Sequence, residues 1–392
     1  MNNLLKTDRQ NIPGLLVIDY SKPEYKHIPR IHSTMIVKRK TTLQYKARLC
    51  ARGDMLANDT PLLYSSPTVS RVSPRMILSI AVTFSFTIGM VDITSAFIQS
   101  HLIEKEKRLI IIPPYYIPLP WKNKVDVSLP RTRDSTLALL TIRPLYGTVD
   151  APIRWFITFS TRFKFCGWTQ MESDPCIFRL SSSSVLHGIC SLHVDDVLMA
   201  GDKKGWDSFN EVLTVFNHSG VKKLSRDEGL VYLGVDIGLD NEKLFISQQS
   251  FIDTKLPILD LQKFYVSPSK LISIPRRLTE CKRVIGNLIW ILQTRPDITY
   301  KLCALSSEVV EVVLEDIKFI KWMRGAIKLM NHIREKPIRI YYLPVLNWIP
   351  KTTLEFIRNV QLYIFFRCQF WYFEKMRISS KLHCNNWTCM LP

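Results

Sequence analysis

Two adjacent aspartates, Asp195 and Asp196, stand in the run Ile189-Cys190-Ser191-Leu192-His193-Val194-Asp195-Asp196-Val197-Leu198-Met199-Ala200-Gly201, with largely apolar residues on both sides. Carboxylates in such surroundings are costly unless a cation or a donor faces them. At the tip of a hairpin the pair would project beside a neighbouring strand, where a third acid lets the group share divalent cations. Asp92, in Met90-Val91-Asp92-Ile93-Thr94-Ser95-Ala96-Phe97, is the clearest candidate, because a long apolar run leads straight into it. Asp236, between Val235 and Ile237, is a weaker one. Two Mg²⁺ ions about 3.5 to 4 Å apart at such a site activate an attacking hydroxyl and stabilise the leaving group of an in-line displacement at phosphorus. Taken alone, an Asp-Asp dipeptide more commonly just caps a turn.

The elements that would hold these acids can be read from periodicity. Val185 to Ala200 reads as two short strand segments, and Ser181 to Ser184 between two apolar runs reads as a hairpin turn. Met76 to Val91 is interrupted by Ser79, Thr83, Ser85 and Thr87, too polar and too short to span a bilayer. It reads instead as a buried helix feeding a buried strand. Leu43 to Arg52 alternates like a strand, Pro152 to Cys166 has helical spacing, and the Pro- and Ser-rich stretches Thr60 to Pro74 and Pro113 to Pro120 read as loops. Strands and helices mix without a regular βαβ repeat, which favours an α+β architecture.

Composition sets the broad class. With 392 residues, 46% of them apolar, the chain can build two or three packed units. Its 53 basic residues against 34 acidic ones leave a net charge of +19, which suits a polyanionic partner such as nucleic acid. The basic residues are spread along the chain and form no amphipathic membrane anchor. Nine cysteines without a C-x-x-C pair indicate neither a zinc ribbon nor a disulfide framework. Met1 to Gln10 lacks the apolar stretch of a signal peptide, so an intracellular protein, cytoplasmic or nuclear, is expected.

Seven ordered segments sharpen this reading. They are Tyr45 to Asp54; Val91 to Phe97; Pro144-Leu145-Tyr146-Gly147 with Ala151-Pro152 and Arg154-Trp155; Ser173 to Phe178; Val194-Asp195-Asp196; Tyr232 to Ile237 with Ile246-Ser247-Gln248; and Ile285-Gly286-Asn287-Leu288 with Thr294 to Tyr300. In this order the set resembles the reverse-transcriptase region of copia-type long-terminal-repeat retrotransposon Pol polyproteins, from Ile28 to Lys336. The resemblance implies a right-hand polymerase fold, with an antiparallel palm sheet packed on helices and thumb or connection helices after it. It implies RNA-directed DNA synthesis by two-metal nucleotidyl transfer, with Mg²⁺ as cofactor and an RNA template, a DNA primer and deoxynucleotide triphosphates as partners. A nucleic-acid-binding relic without catalysis is the alternative.

The same resemblance assigns residues. Asp92, Asp195 and Asp196 are the expected catalytic metal ligands, with the backbone carbonyl of Ile93 as a further ligand. Lys46, Arg48 and Arg52 are expected to grip triphosphate or template phosphates. Phe97 either excludes ribonucleotides by facing the nucleotide 2′-position or is a core phenylalanine. Tyr146 and Trp155 either stack on a base or pack in the palm, with packing favoured for Trp155. Asp236 then falls in the segment that positions the primer, outside the metal site, and Gly234 is expected in a turn with positive φ. Arg295 to Asp297 either fixes a helix start or touches the duplex.

The expected divisions are an extension over 1–27, fingers and palm over 28–260, thumb or connection over 261–343, and a degenerate tail over 344–392. Two departures from the family pattern bear on activity. His193 stands where Tyr is usual and can titrate near neutral pH, and Thr148-Val149-Asp150 replaces Leu-Lys-Gln, adding a negative charge. Nothing in the chain resembles the family's protease or integrase, and no ribonuclease H domain is readable after Leu343. Phe365 to Tyr372 can be back-translated so that a one-base shift reads like the first ribonuclease H strand. A frameshift at or before Phe365 is the resulting hypothesis; genomic DNA that fails to encode that peptide in the shifted frame refutes it.

Overall fold

The computed structural model describes residues 14–39, 45–55, 65–105, 108–112, 137–267 and 270–342. The loop expected at Pro113 to Pro120 and the tail over 344–392 therefore lie outside the described residues. Two compact units divide after Lys222. In the first, the strands are β1 (Leu15–Asp19), β2 (Arg30–Arg39), β3 (Tyr45–Ala51), β4 (Thr87–Asp92), β5 (Ile110–Ile112), β6 (Leu137–Thr141), β7 (Thr169–Gln170), β8 (Ile177–Ser182), β9 (Val185–His193) and β10 (Asp196–Gly201). Its helices are α1 (Ser73–Thr83), α2 (Ala151–Phe165) and α3 (Lys203–Leu213). The fold class is α+β.

One sheet has the order β1-β6-β5-β2-β3, antiparallel except for the parallel β2–β5 pair. The other runs β4-β10-β9-β8-β7, antiparallel throughout, with the short strand Lys222–Lys223 beyond β4. Strand β10 is a continuous apolar run because both of its faces are covered. Val197 and Met199 point into a cluster with Trp155, Phe159, Phe163, Trp206 and Phe209 from α2 and α3. Leu198 and Ala200 alternate to the opposite face, where α1 packs against β10, and they are equally buried.

Helix and turn ends follow local chemistry. Pro74 occupies the first turn of α1, and Asp174 closes that end from a distant segment by accepting from the Ser70 amide and the Ser73 hydroxyl. Ser183 and Ser184, both at positive φ, make the two-residue turn between β8 and β9. Asp202 caps α3 by accepting from the Gly205 amide at 2.8 Å. His187 clips this end to the hairpin, with Nδ1 2.8 Å from Asp202 and Nε2 2.7 Å from the Ser182 hydroxyl, which also accepts from Lys204.

The second unit holds an antiparallel sheet of Leu230–Tyr232, Val235–Asp240, Lys243–Ser247 and Ile340–Tyr341. Its helices are α4 (Gln249–Thr254), α5 (Ile274–Ile291), α6 (Thr299–Ser307), α7 (Val309–Val312) and α8 (Asp316–Glu335). Leu288, Ile291, Phe319, Met323, Ala326 and Ile333 are among the residues of its core. Arg295, 1% exposed, donates to the last carbonyls around the end of α8, Ile333 and Lys336, and pairs with Asp297. Arg295 thus ties the end of α8, a structural role other than the helix start expected of this segment, while Pro296 does open a short helical turn. Among the described residues no helix is long and apolar enough to cross a membrane.

Candidate active site

The hairpin and the strand beside it bring the three aspartates together. Strand β9 ends at His193 and β10 starts at Asp196, leaving Val194 and Asp195 as the turn. Asp196 pairs in register with Asp92 at the end of β4, and the Ile93 amide continues the ladder by donating to the Asp195 carbonyl at 2.8 Å. The acids therefore stand at the sheet's end and not in its core: Asp92 is exposed, Asp195 and Asp196 half-buried. Their mutual field is visible in Asp196, whose carboxyl is pushed up to about 6 by burial and then by the charges of Asp195 and Asp92.

Three further predicted residues converge here. The Tyr146 ring lies 4.9 Å from that of Phe97, and the Arg48 guanidinium sits over the Tyr146 ring at 5.5 Å from its centroid. Burial, followed by the charge of Asp195, raises the Tyr146 hydroxyl's pKa; Arg48 opposes that rise and Asp92 adds to it. Gly147 makes the placement possible. Its φ is +89°, and a Cβ there would stand 2.1 Å from the Ala51 carbonyl oxygen. This close approach lets the Ala51 amide donate to the Tyr146 carbonyl at 2.7 Å, joining β3 to the Pro144-Leu145-Tyr146-Gly147 segment.

The remaining positions divide. Arg52 is exposed and forms an ion pair with Asp54 at 2.8 Å. Lys46 stands on β3 opposite Lys38, and its side chain lies outside the described residues. Asp236 belongs to the second unit, where it accepts from the Ser250 amide at 3.0 Å and the Ser247 hydroxyl at 3.3 Å. Gly234 has φ +71°, and a Cβ would meet the Trp290 ring at 3.0 Å. His193 has a buried Nδ1 without a hydrogen-bond partner; burial lowers its pKa, and the Asp195 charge opposes that. Asp150 does not stand as a lone negative charge, because it pairs with Arg154 one helical turn on.

Trp155 plays a part that sequence spacing left open. Its ring is 1% exposed between Phe159 and Phe216, and its indole N–H donates to the carbonyl of Val194 in the hairpin turn. In the sequence only the presence of Trp155 in the third segment signals this, and only the fold supplies the contact.

Among the described residues, no group of three or more His, Cys, Asp or Glu side chains stands close enough to hold a metal ion as it is. The donor chemistry nonetheless fits a hard divalent cation: the oxygens are carboxylates, and Asp196 is raised by burial and then by two like charges, both of which a cation would offset. Mg²⁺ sites of this kind commonly take one or two carboxylates and complete their shell with water and substrate phosphates.

Comparison with known proteins gives a consistent set of likenesses. The family described as reverse transcriptase (RNA-dependent DNA polymerase) matches residues 21–272. The Pol polyprotein of transposon RE2 from Arabidopsis thaliana is 25% identical over 283 residues, 67% of this chain and 18% of that protein. The Pol polyprotein of transposon TNT 1-94 from Nicotiana tabacum is 24% identical over 309 residues, 72% of this chain and 21% of that protein. A yeast relative, the Ty1-ER2 Gag-Pol polyprotein of Saccharomyces cerevisiae, is 26% identical over 241 residues, 59% of this chain and 12% of that protein. The chain thus spans about a fifth or less of these relatives' length. Among solved structures, a foamy viral protease-reverse transcriptase in complex with double-stranded DNA is a remote likeness, 10% identical with a TM-score of 0.39, covering 77% of this chain and 44% of that one.

Proposed function

We propose that this chain, which belongs to the reverse transcriptase (RNA-dependent DNA polymerase) family in its copia-type retrotransposon form, adds deoxynucleotides to a DNA primer on an RNA template at Asp92, Asp195 and Asp196. The observation that carries this reading is the register that sets Asp196 opposite Asp92 at the mouth of a two-residue turn. Divalent metal dependence is general in the family. Here the three aspartates, with the Ile93 carbonyl, would hold two Mg²⁺ ions, whose chemistry when bound would be to activate the primer 3′-hydroxyl and stabilise the leaving pyrophosphate.

The chain's own groups do the rest. Arg48, beside Tyr146, supplies positive charge for the triphosphate. Phe97 and Tyr146 form an aromatic floor beside the acids, where a ribose 2′-hydroxyl would collide. Residues 28–260 form the fingers and palm, and 261–343 the thumb or connection. Primer extension on an RNA template tests the reading. Asp195→Asn and Asp196→Asn are expected to cut extension on the order of 100-fold or more; no extension above the level of those variants would leave a binding-only relic.

A further inference from the structure

We infer that Trp155 is a positioning residue for the aspartate hairpin, its indole N–H holding Val194 in a left-handed backbone conformation that the side chain itself disfavours. The inference rests on the function proposed above for what the hairpin does, but the contact itself does not depend on it.

Val194 has φ +55°. For a β-branched residue that is a genuine outlier, because Cβ crowds the backbone. As the first of two turn residues, with Asp195 absent from the positive-φ positions, it follows the pattern of a type II′ hairpin, which ordinarily places glycine there. Strain of this kind persists only where the surroundings over-determine it. Two contacts do so here. The Ile93 amide holds the Asp195 carbonyl, and the Trp155 N–H holds the Val194 carbonyl, so both carbonyls of the turn are fixed from outside the hairpin.

The indole makes a rigid anchor. Its ring centroid lies 5.2 Å from that of Phe159 and 5.3 Å from that of Phe216, in a cluster that also holds Val91 and Val197 from the two strands bearing Asp92 and Asp196. A peptide rotation at Val194–Asp195 would break the Trp155 contact and change the backbone from which Asp195 projects. Phe159 or Phe216 can contribute packing to this corner, but neither side chain has a donor. The N–H is thus the part of Trp155 whose role can be separated from packing.

The experiment uses Trp155→Phe, which keeps an aromatic ring and removes the donor, and a second change, Val194→Gly, which removes the strain. Hydrogen exchange of the 189–201 hairpin is measured in the metal-free chain, with RNA-templated extension alongside. Trp155→Phe should speed exchange at the turn about three- to tenfold, the span of one hydrogen bond, and lower kcat roughly 10- to 100-fold with little change in primer–template affinity. Adding Val194→Gly should restore much of both, because glycine adopts positive φ freely. Unchanged turn exchange in Trp155→Phe, or no restoration by Val194→Gly, overturns the inference and leaves Trp155 a packing residue. If the native chain shows no extension, the exchange result still decides the positioning role, while the loss falls on the proposed function.

Discussion

Asp196 bears the electrostatic strain of the site. Its carboxyl is raised to about 6 by burial and by Asp195 and Asp92, so the folded chain binds that proton more tightly than the unfolded chain does. The stability linked to a raised carboxyl is fully present below the unfolded value, near 3.9, and is lost as pH rises through about 6. Asp196→Asn, which mimics the protonated form, should therefore melt higher than the native chain above pH 6 in the presence of a chelator. The gap should close toward pH 4; equal melting temperatures at pH 7.5 would show that neither burial nor the neighbouring acids oppose the ionised Asp196. At this scale the placement of Asp92 beside the Asp195–Asp196 turn was legible in the sequence, because an acid after an apolar run and an acid pair between apolar flanks are local patterns. Trp155 was not, since packing, stacking and hydrogen bonding by a tryptophan have the same spacing. Arg295 was ambiguous for the same reason: its carbonyl partners come from the end of a helix far along the chain.

The elements that carry these residues depend on caps and clips as well as on buried apolar area. Asp202 joins the end of β10 to α3 and binds the hairpin through His187. Burial pushes its carboxyl up, but the Gly205 amide, His187 and the Lys204 amide together outweigh that and hold it below the ordinary value. A depressed carboxyl contributes stability that is present above the unfolded value and lost as pH falls through the folded one. Asp202→Ala should cost about 1 kcal/mol at pH 7, and the difference between variant and native chain should shrink in urea titrations below about pH 4. A difference that stays constant down to pH 3 would mean the carboxylate form does not matter. Periodicity located β9, β10, the Ser183–Ser184 turn and α2 to within a few residues. The division after Lys222 had no such signal, because it depends on long-range packing and is marked in sequence by nothing more than the basic pair Lys222-Lys223.

Across the whole molecule, the net charge of +19 is a statement about partners, not about fold. If the chain grips a primer–template through phosphates, affinity should fall steeply with salt, by on the order of 10³ between about 50 and 200 mM for six or more phosphate contacts. Fluorescence anisotropy with a labelled RNA–DNA hybrid reads this directly, and an affinity indifferent to salt would contradict a phosphate-gripping surface.

The central claim is that acids from two remote segments act as one site, and Asp92 tests it best because it stands on a different strand from the Asp195–Asp196 turn. The decisive measurement is the rate of single-nucleotide addition to a DNA primer on an RNA template at saturating Mg²⁺, for the native chain and for Asp92→Asn. The account predicts addition by the native chain and a loss on the order of 100-fold or more in the variant. Addition at the same rate in both would contradict it.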